Sequence, residues 1–195
     1  MELQNALSIA GELVESLSPY CEIINVAGSC RRSRPMVKDI EIVCLSKTKI
    51  IREVFGEELK RVRTKEFVGV VESLGERFKG STIDGKYNKI KLKQGIMLDL
   101  FLPQSFDYYR IFAIRTGSDD YSKKVLAGGW RKKGWCGSDA GLRKTRDCRE
   151  TKTSKGASTW KCVNPEAELP PVWKSEKDFF DWINVKWVEP SLRNI

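Results

Sequence analysis

One stretch limits what this chain can fold into more than any other: Gly28-Ser29-Cys30-Arg31-Arg32, followed after a short gap by Asp39-Ile40-Glu41. The apolar run Ile23-Ile24-Asn25-Val26-Ala27 leads into it, and Ile42-Val43-Cys44-Leu45 leads out. That order is a strand, a turn suited to phosphate, and a second strand. Side chains of a strand repeat every two residues, so Asp39 and Glu41 project from one face. A phosphate-suited turn beside two carboxylates is what metal-assisted phosphoryl chemistry requires.

The rest of the composition narrows the chemistry further. No histidine occurs among the 195 residues, which removes Ser-His-Asp, Cys-His and His-metal sites together. Carboxylates on a hard cation remain. The six cysteines, at 21, 30, 44, 136, 148 and 162, lack CxxC spacing and are expected as reduced thiols, with Cys21, Cys30 and Cys44 in or near the core. The length, with 41% apolar residues, suits one domain or two small ones. No run of 18 apolar residues exists and the N-terminus is amphipathic, so the expectation is a soluble, intracellular protein without a membrane partner; a monomer is expected as well.

The net charge of +9 is segregated. Residues 121–162 hold 12 Lys and Arg against 3 Asp and Glu, while the remaining 153 residues balance at 23 of each. Such a segment is an electrostatic footprint for a polyanion, most simply a nucleic-acid backbone.

Along the chain, Leu3, Ala6, Leu7, Ala10, Leu13, Val14 and Leu17 predict a helix over 2–17, stopped by Ser18-Pro19. Thr48 to Leu59 reads as a second helix with Ile50, Ile51, Val54, Phe55 and Leu59 as its buried stripe. For 62–73 the pattern allows helix or strand. Tyr87 to Lys93 alternates as a strand with one solvent face, and Gln94-Gly95 turns it into Ile96 to Leu102, an apolar strand broken only by Asp99. A lone carboxylate in such a strand is costly unless paired or bound to a cation. Helices are expected from Phe106 to Arg115, capped by Ser105, and over 119–133, capped by Ser118. Residues 137–165 read as a loop region, with Thr151 to Ser158 mobile. Ser175 and Asp178 resemble a capping box opening a helix through Ile183.

Asp39, Glu41 and Asp99 thus form a set of three oxygen donors without histidine, which suits Mg²⁺ or Mn²⁺. At this point the chain resembles DNA polymerase family X, the polymerase beta family. The resemblance rests on Gly28-Ser29 with Asp39-Ile40-Glu41 beyond it, on Leu98-Asp99-Leu100, on Thr116-Gly117-Ser118, on Lys132-Lys133-Gly134 with Gly141-Leu142, and on the ending Glu189-Pro190-Ser191-Leu192-Arg193. It covers nearly the whole chain, and the reduced form is similar to minimal viral members.

The resemblance implies an α+β fold: a nucleotidyltransferase palm over 1–104, with a mixed or antiparallel sheet and helices on one face, and a small C-terminal α/β nucleotide-selecting subdomain over 105–195. It implies that Asp39, Glu41 and Asp99 hold two Mg²⁺ ions. Ser29 and Arg32 would grip the nucleotide's β- and γ-phosphates, Gly117 with Ser118 would line the sugar and base side of the pocket, and Gly28, Lys38, Arg115, Thr116 and Ser122 would complete the nucleotide-binding set. The partners implied are a DNA primer-template or gapped DNA and a dNTP. The DNA grip would come from Lys86, Lys89 and Lys91 on the alternating strand and from Lys123, Lys124, Arg131, Lys132, Lys133, Arg143, Lys144 and Arg146 in the basic segment. Glu41 stands where the family has aspartate, Ile114-Arg115 where many members have Tyr-Phe, and Ser122 where an asparagine reads the base. Ile114-Arg115 and Ser122 motivate the alternative of a template-independent terminal or RNA nucleotidyltransferase, and a nucleic-acid-binding module with a dead site stands as an alternative of a different class.

Overall fold

The N-terminal stripe folds as the helix α1 (Leu3–Leu17), which buries Ala6, Ala10, Leu13 and Leu17. Pro19 lies in the 3₁₀ turn Ser18–Tyr20 that follows, since proline has no N–H with which to continue the ladder. The structure is a computed structural model and describes residues 1–52, 58–154 and 156–195. After α1 come β1 (Cys21–Val26), the short helix α2 (Gly28–Arg31), β2 (Asp39–Ser46), β3 (Thr48–Arg52), β4 (Glu58–Arg63), α3 (Lys65–Ser73), β5 (Gly75–Gly80), β6 (Tyr87–Leu92) and β7 (Met97–Phe101).

Five of these strands form one mixed sheet in the order β1-β2-β7-β6-β5. β2 and β7 run parallel, and the other neighbours are antiparallel. Ile40, Ile42, Leu98, Leu100, Ile90 and Leu92 point to the face covered by α1 and α3 and form the first core. Period-two alternation then leaves Asp39, Glu41, Asp99, Tyr87, Lys89 and Lys91 on the opposite face.

The helix expected over Thr48 to Leu59 is absent from the described part of that stretch. β3 and β4 pair there as an antiparallel hairpin, with Thr48 opposite Arg63 and Ile50 opposite Arg61. Thr48, Ile50 and Ile51 are β-branched, which favours extended backbone, and Ile50 and Ile51 are exposed instead of forming a buried stripe. Val54 and Phe55 of that expected stripe lie outside the described residues. The ambiguous run 62–73 divides: it ends β4 and then forms α3, whose cap Thr64 accepts a bond from the Phe67 amide at 3.2 Å.

Beyond Pro103 the chain forms a 3₁₀ turn (Ser105–Asp107), α4 (Tyr108–Thr116), a π-helical turn (Tyr121–Leu126), α5 (Ala127–Lys132), β8 (Trp135–Ser138), β9 (Gly141–Lys144), β10 (Cys148–Lys152), β11 (Ser158–Cys162) and α6 (Glu176–Trp182). α4 thus starts two residues later than expected, behind the 3₁₀ turn that Ser105 opens. A second sheet has the order β10-β11-β8-β9. The loop expected over 137–165 is therefore largely sheet. β10 exposes most of its residues, so its sequence lacks the apolar alternation that marks a half-buried strand. A second core gathers Leu126, Trp130, Trp135, Trp173, Phe179 and Phe180. The capping box is present as expected: Ser175 Oγ accepts from the Asp178 amide at 3.1 Å, and Asp178 Oδ2 accepts from the Ser175 amide at 3.1 Å.

α4 lies on the acid-bearing face of the first sheet. Tyr108 and Phe112 pack on Val43 and Phe101, one step along each strand from Glu41 and Asp99. Among the described residues no helix is long and apolar enough to cross a membrane.

Candidate active site

Glu41 and Asp99 are direct partners in the parallel pairing of β2 and β7, where Asp39 sits opposite Met97. The three acids therefore share one face of two adjacent strands. Tyr87 Oη donates to Asp99 Oδ1 at 2.7 Å, and Lys89, opposite Asp99 on β6, places Nζ 3.7 Å from the same oxygen. Burial first, then repulsion from Asp39, pushes the Glu41 carboxyl up to about 7, against the pull of Arg115. Arg115 stacks its guanidinium over Phe101, 4.0 Å from the ring centroid, and is drawn to Glu41 and Asp99 while burial lowers its own pKa.

The turn is built around Gly28, whose φ of +63° is a left-handed conformation. A Cβ there would lie 2.0 Å from Glu41 Oε2, so glycine lets the carboxylate settle against the backbone. The two arginines that follow reach across to the Thr-Gly-Ser turn. Arg32 Nη1 donates to the carbonyls of Thr116 and Gly117 at 2.6 and 3.2 Å. Arg31 Nη1 donates to Thr116 Oγ1 at 2.6 Å and, with Nη2, clamps Glu176 on α6. Arg193 clamps the same carboxylate from the other side at 2.7 and 3.0 Å, and Trp187 Nε1 donates to it. The turn, α4 and the C-terminus are thus held to one another by a buried carboxylate.

Several residues expected to line a nucleotide pocket carry internal bonds here. Thr116 is fully buried, with its hydroxyl bonded to Arg31. Ser118 caps the following helix at Tyr121 and donates to the Ile195 carbonyl. Ser122 donates to the Ile114 carbonyl. Lys38 is exposed beside Asp39. Two openings flank Arg115. One, of about 430 Å³, is lined by Glu41, Tyr87, Asp99, Asp107 and Ser138 among others. The other, of about 250 Å³, is lined by Arg32, Glu41, Gly117, Ser118 and Ser122.

Ser29 Oγ, Arg32 Nε and Arg115 Nε are buried without a hydrogen-bond partner among the described residues. Buried polar atoms are nearly always paired, so three orphans beside three acids mark a place shaped for something polar. The donor set fits a hard divalent cation in kind: all oxygen, on one face of two adjacent strands, with Glu41 raised first by burial and then by repulsion from Asp39. Among the described residues no three acids or thiols stand close enough to enclose an ion as the side chains are placed. Glu41 is turned to Gly28 and Asp99 to Tyr87.

The basic residues divide in two. Lys123 and Lys124 pair with Asp119 and Asp120, Lys144 with Glu168, and Lys86 donates to the Asp139 carbonyl. Lys133 lies over Trp182 and Arg143 over Phe106. Lys91, Arg131, Lys132 and Arg146 have no carboxylate partner among the described residues. Sequence reasoning passed over Tyr87, Arg31 and Glu176. Alternation puts Tyr87 on the face of its own strand that Asp99 occupies on the next, and the Gln94-Gly95 turn joins those two strands as a hairpin, so a local signal for Tyr87 does exist in the sequence.

No known protein-family model matches the chain, and no curated protein matches it at a significant level.

Proposed function

We propose that the chain is a nucleotidyltransferase of the polymerase beta type, adding nucleotides to a primer 3′-hydroxyl with release of pyrophosphate. The observation that carries this reading is the register of Glu41 with Asp99, on the face they share with Asp39 and beside a glycine turn whose serine hydroxyl is an orphan. Asp39, Glu41 and Asp99 would hold Mg²⁺ or Mn²⁺, and such ions lower the pKa of an attacking hydroxyl and stabilise a leaving pyrophosphate. Ser29 Oγ and Arg32 Nε, without a partner among the described residues, would bind phosphate oxygens. Arg115 offers a fixed positive charge against the acids, and Tyr87 orients Asp99. The five-stranded mixed sheet with α1 and α3 on one face would serve as the palm, and the elements from α4 onward as the nucleotide-selecting part.

Primer extension tests the reading. Mg²⁺-dependent incorporation of dNTPs on a primed template is expected in the wild type and absent from Asp39→Ala and Asp99→Ala; activity surviving both substitutions would overturn it. Running the same primer without a template strand, with dNTPs and NTPs separately, distinguishes templated synthesis from terminal transfer.

A further inference from the structure

The hairpin β10–β11 is joined to β8 by the parallel pairing of Trp160 with Ser138, and it leaves a groove against α5. That groove, of about 860 Å³, is lined by Trp130, Arg131, Glu150, Thr159, Trp160 and Lys161, with others. Arg131 and Lys161 have no carboxylate partner among the described residues, and neither do Arg149 and Lys152 on the same hairpin. These cations contrast with those of the helix 119–124, which are matched to acids one turn away. The positive charge of the basic segment is thus available at this hairpin and not on that helix.

Trp160 is only half-buried. Trp130, Trp135 and Trp173, by contrast, are buried in the second core. An indole left partly open among unpaired cations has the two components of a single-strand site: a flat aromatic surface on which a base stacks and charges that follow the backbone. A duplex keeps its base faces covered, so it would use the cations but not the indole.

We infer that the groove between α5 and the β10–β11 hairpin binds an unpaired nucleic-acid strand, with Trp160 stacking on a base and Arg131 and Lys161 contacting phosphates. On the reading proposed above, on which this inference rests, the bound strand is the single-stranded template next to the primer. The groove adjoins the opening lined by Glu41 and Asp99, sharing Arg110, Ser138 and Asp139 with it, but none of the three acids lines the groove itself, so binding is measurable without metal or nucleotide.

The test is fluorescence anisotropy of a labelled oligo-dT of about 12 nucleotides on the full chain, in chelator, with a blunt duplex of equal length as comparator. Trp160→Ala is expected to weaken oligo-dT binding about tenfold and leave duplex binding unchanged, while Trp160→Phe, which keeps a ring in the hairpin, stays close to wild type. Arg131→Ala with Lys161→Ala should flatten the salt dependence by roughly 1.4 in log–log slope. Oligo-dT binding that is indifferent to Trp160→Ala, or equally lost in Trp160→Phe, or no tighter than duplex binding, overturns the site. Normal oligo-dT binding by a chain that fails primer extension leaves the site standing and removes the polymerase reading instead.

Discussion

The carboxylate of Glu41 occupies the space into which a side chain at Gly28 would project: Oε2 lies 2.0 Å from where a Cβ would stand. Strand and turn are therefore matched through one missing methyl group. Gly28→Ala would push the carboxylate from its seat and also place alanine at φ +63°, a conformation costing about 1 kcal/mol or more outside glycine. The expected outcome is a folded protein, destabilised by roughly 1–3 kcal/mol in urea titration, with primer extension reduced more than tenfold. Wild-type extension rates in Gly28→Ala would show that the position of Glu41 does not matter to the chemistry.

Crowded acids make a separate prediction about metal. If Asp39, Glu41 and Asp99 bind a divalent ion, saturating Mg²⁺ or Mn²⁺ raises the melting temperature, since a ligand at 100 times its Kd adds about 2.7 kcal/mol. At this chain length that is on the order of 5–10 °C. Asp99→Asn should abolish the rise. Glu41→Gln should also abolish it, yet melt above the wild type in chelator, because it removes a carboxylate disfavoured first by burial and then by repulsion from Asp39. A wild-type melting temperature that ignores both metals counts against the donor set.

Parts of this site are legible in the sequence because they depend on local periodicity. Alternation alone places Asp39 and Glu41 together, and the Ser175 to Asp178 spacing alone defines a helix start. Where local signals compete, the sequence misleads: Ile50 and Ile51 suit a helical stripe by spacing and a strand by branching, and pairing with β4 decides for the strand. In β10 and β11 the ladder is carried by polar residues, among them Thr151 and Thr159 with their hydroxyls 3.0 Å apart. No apolar pattern announces them. The clamp of Arg31 on Glu176 spans 145 residues, and no local rule predicts a contact of that separation.

That clamp sets a pH dependence. Burial alone would raise the Glu176 carboxyl, but bonds from Arg193 and Arg31 prevail and hold it down to about 2. A folded-state pKa below the ordinary value of 4.5 contributes stability that is present above that value and lost as pH falls toward 2. The contribution at neutral pH is of order 3 kcal/mol. Glu176→Gln leaves the buried Arg193 and the partly exposed Arg31 without their counter-charge, at a cost of about 3–5 kcal/mol, carried mostly by Arg193. Urea titrations should find that deficit at pH 7 and see it shrink steadily between pH 5 and pH 2; a deficit constant with pH would mean the charge of Glu176 is not what holds Arg31 and Arg193.

Tyr87 provides the finest test of how Asp99 is aimed. Its hydroxyl donates to Asp99 at 2.7 Å while its ring stacks on Phe101 with centroids 5.1 Å apart. Tyr87→Phe keeps the stack and deletes only the bond, so stability should fall by no more than that bond is worth. A hydrogen bond to a charged group is worth about 1.5–3 kcal/mol, and losing part of it from the reacting geometry predicts a fall in kcat of roughly tenfold. KM for the nucleotide should stay nearly constant, because Tyr87 acts through Asp99. Lys89 faces the same oxygen from 3.7 Å, so Lys89→Met combined with Tyr87→Phe should cost more than the two effects added. Strict additivity in that double-mutant cycle would mean that the two side chains do not share the work of holding Asp99.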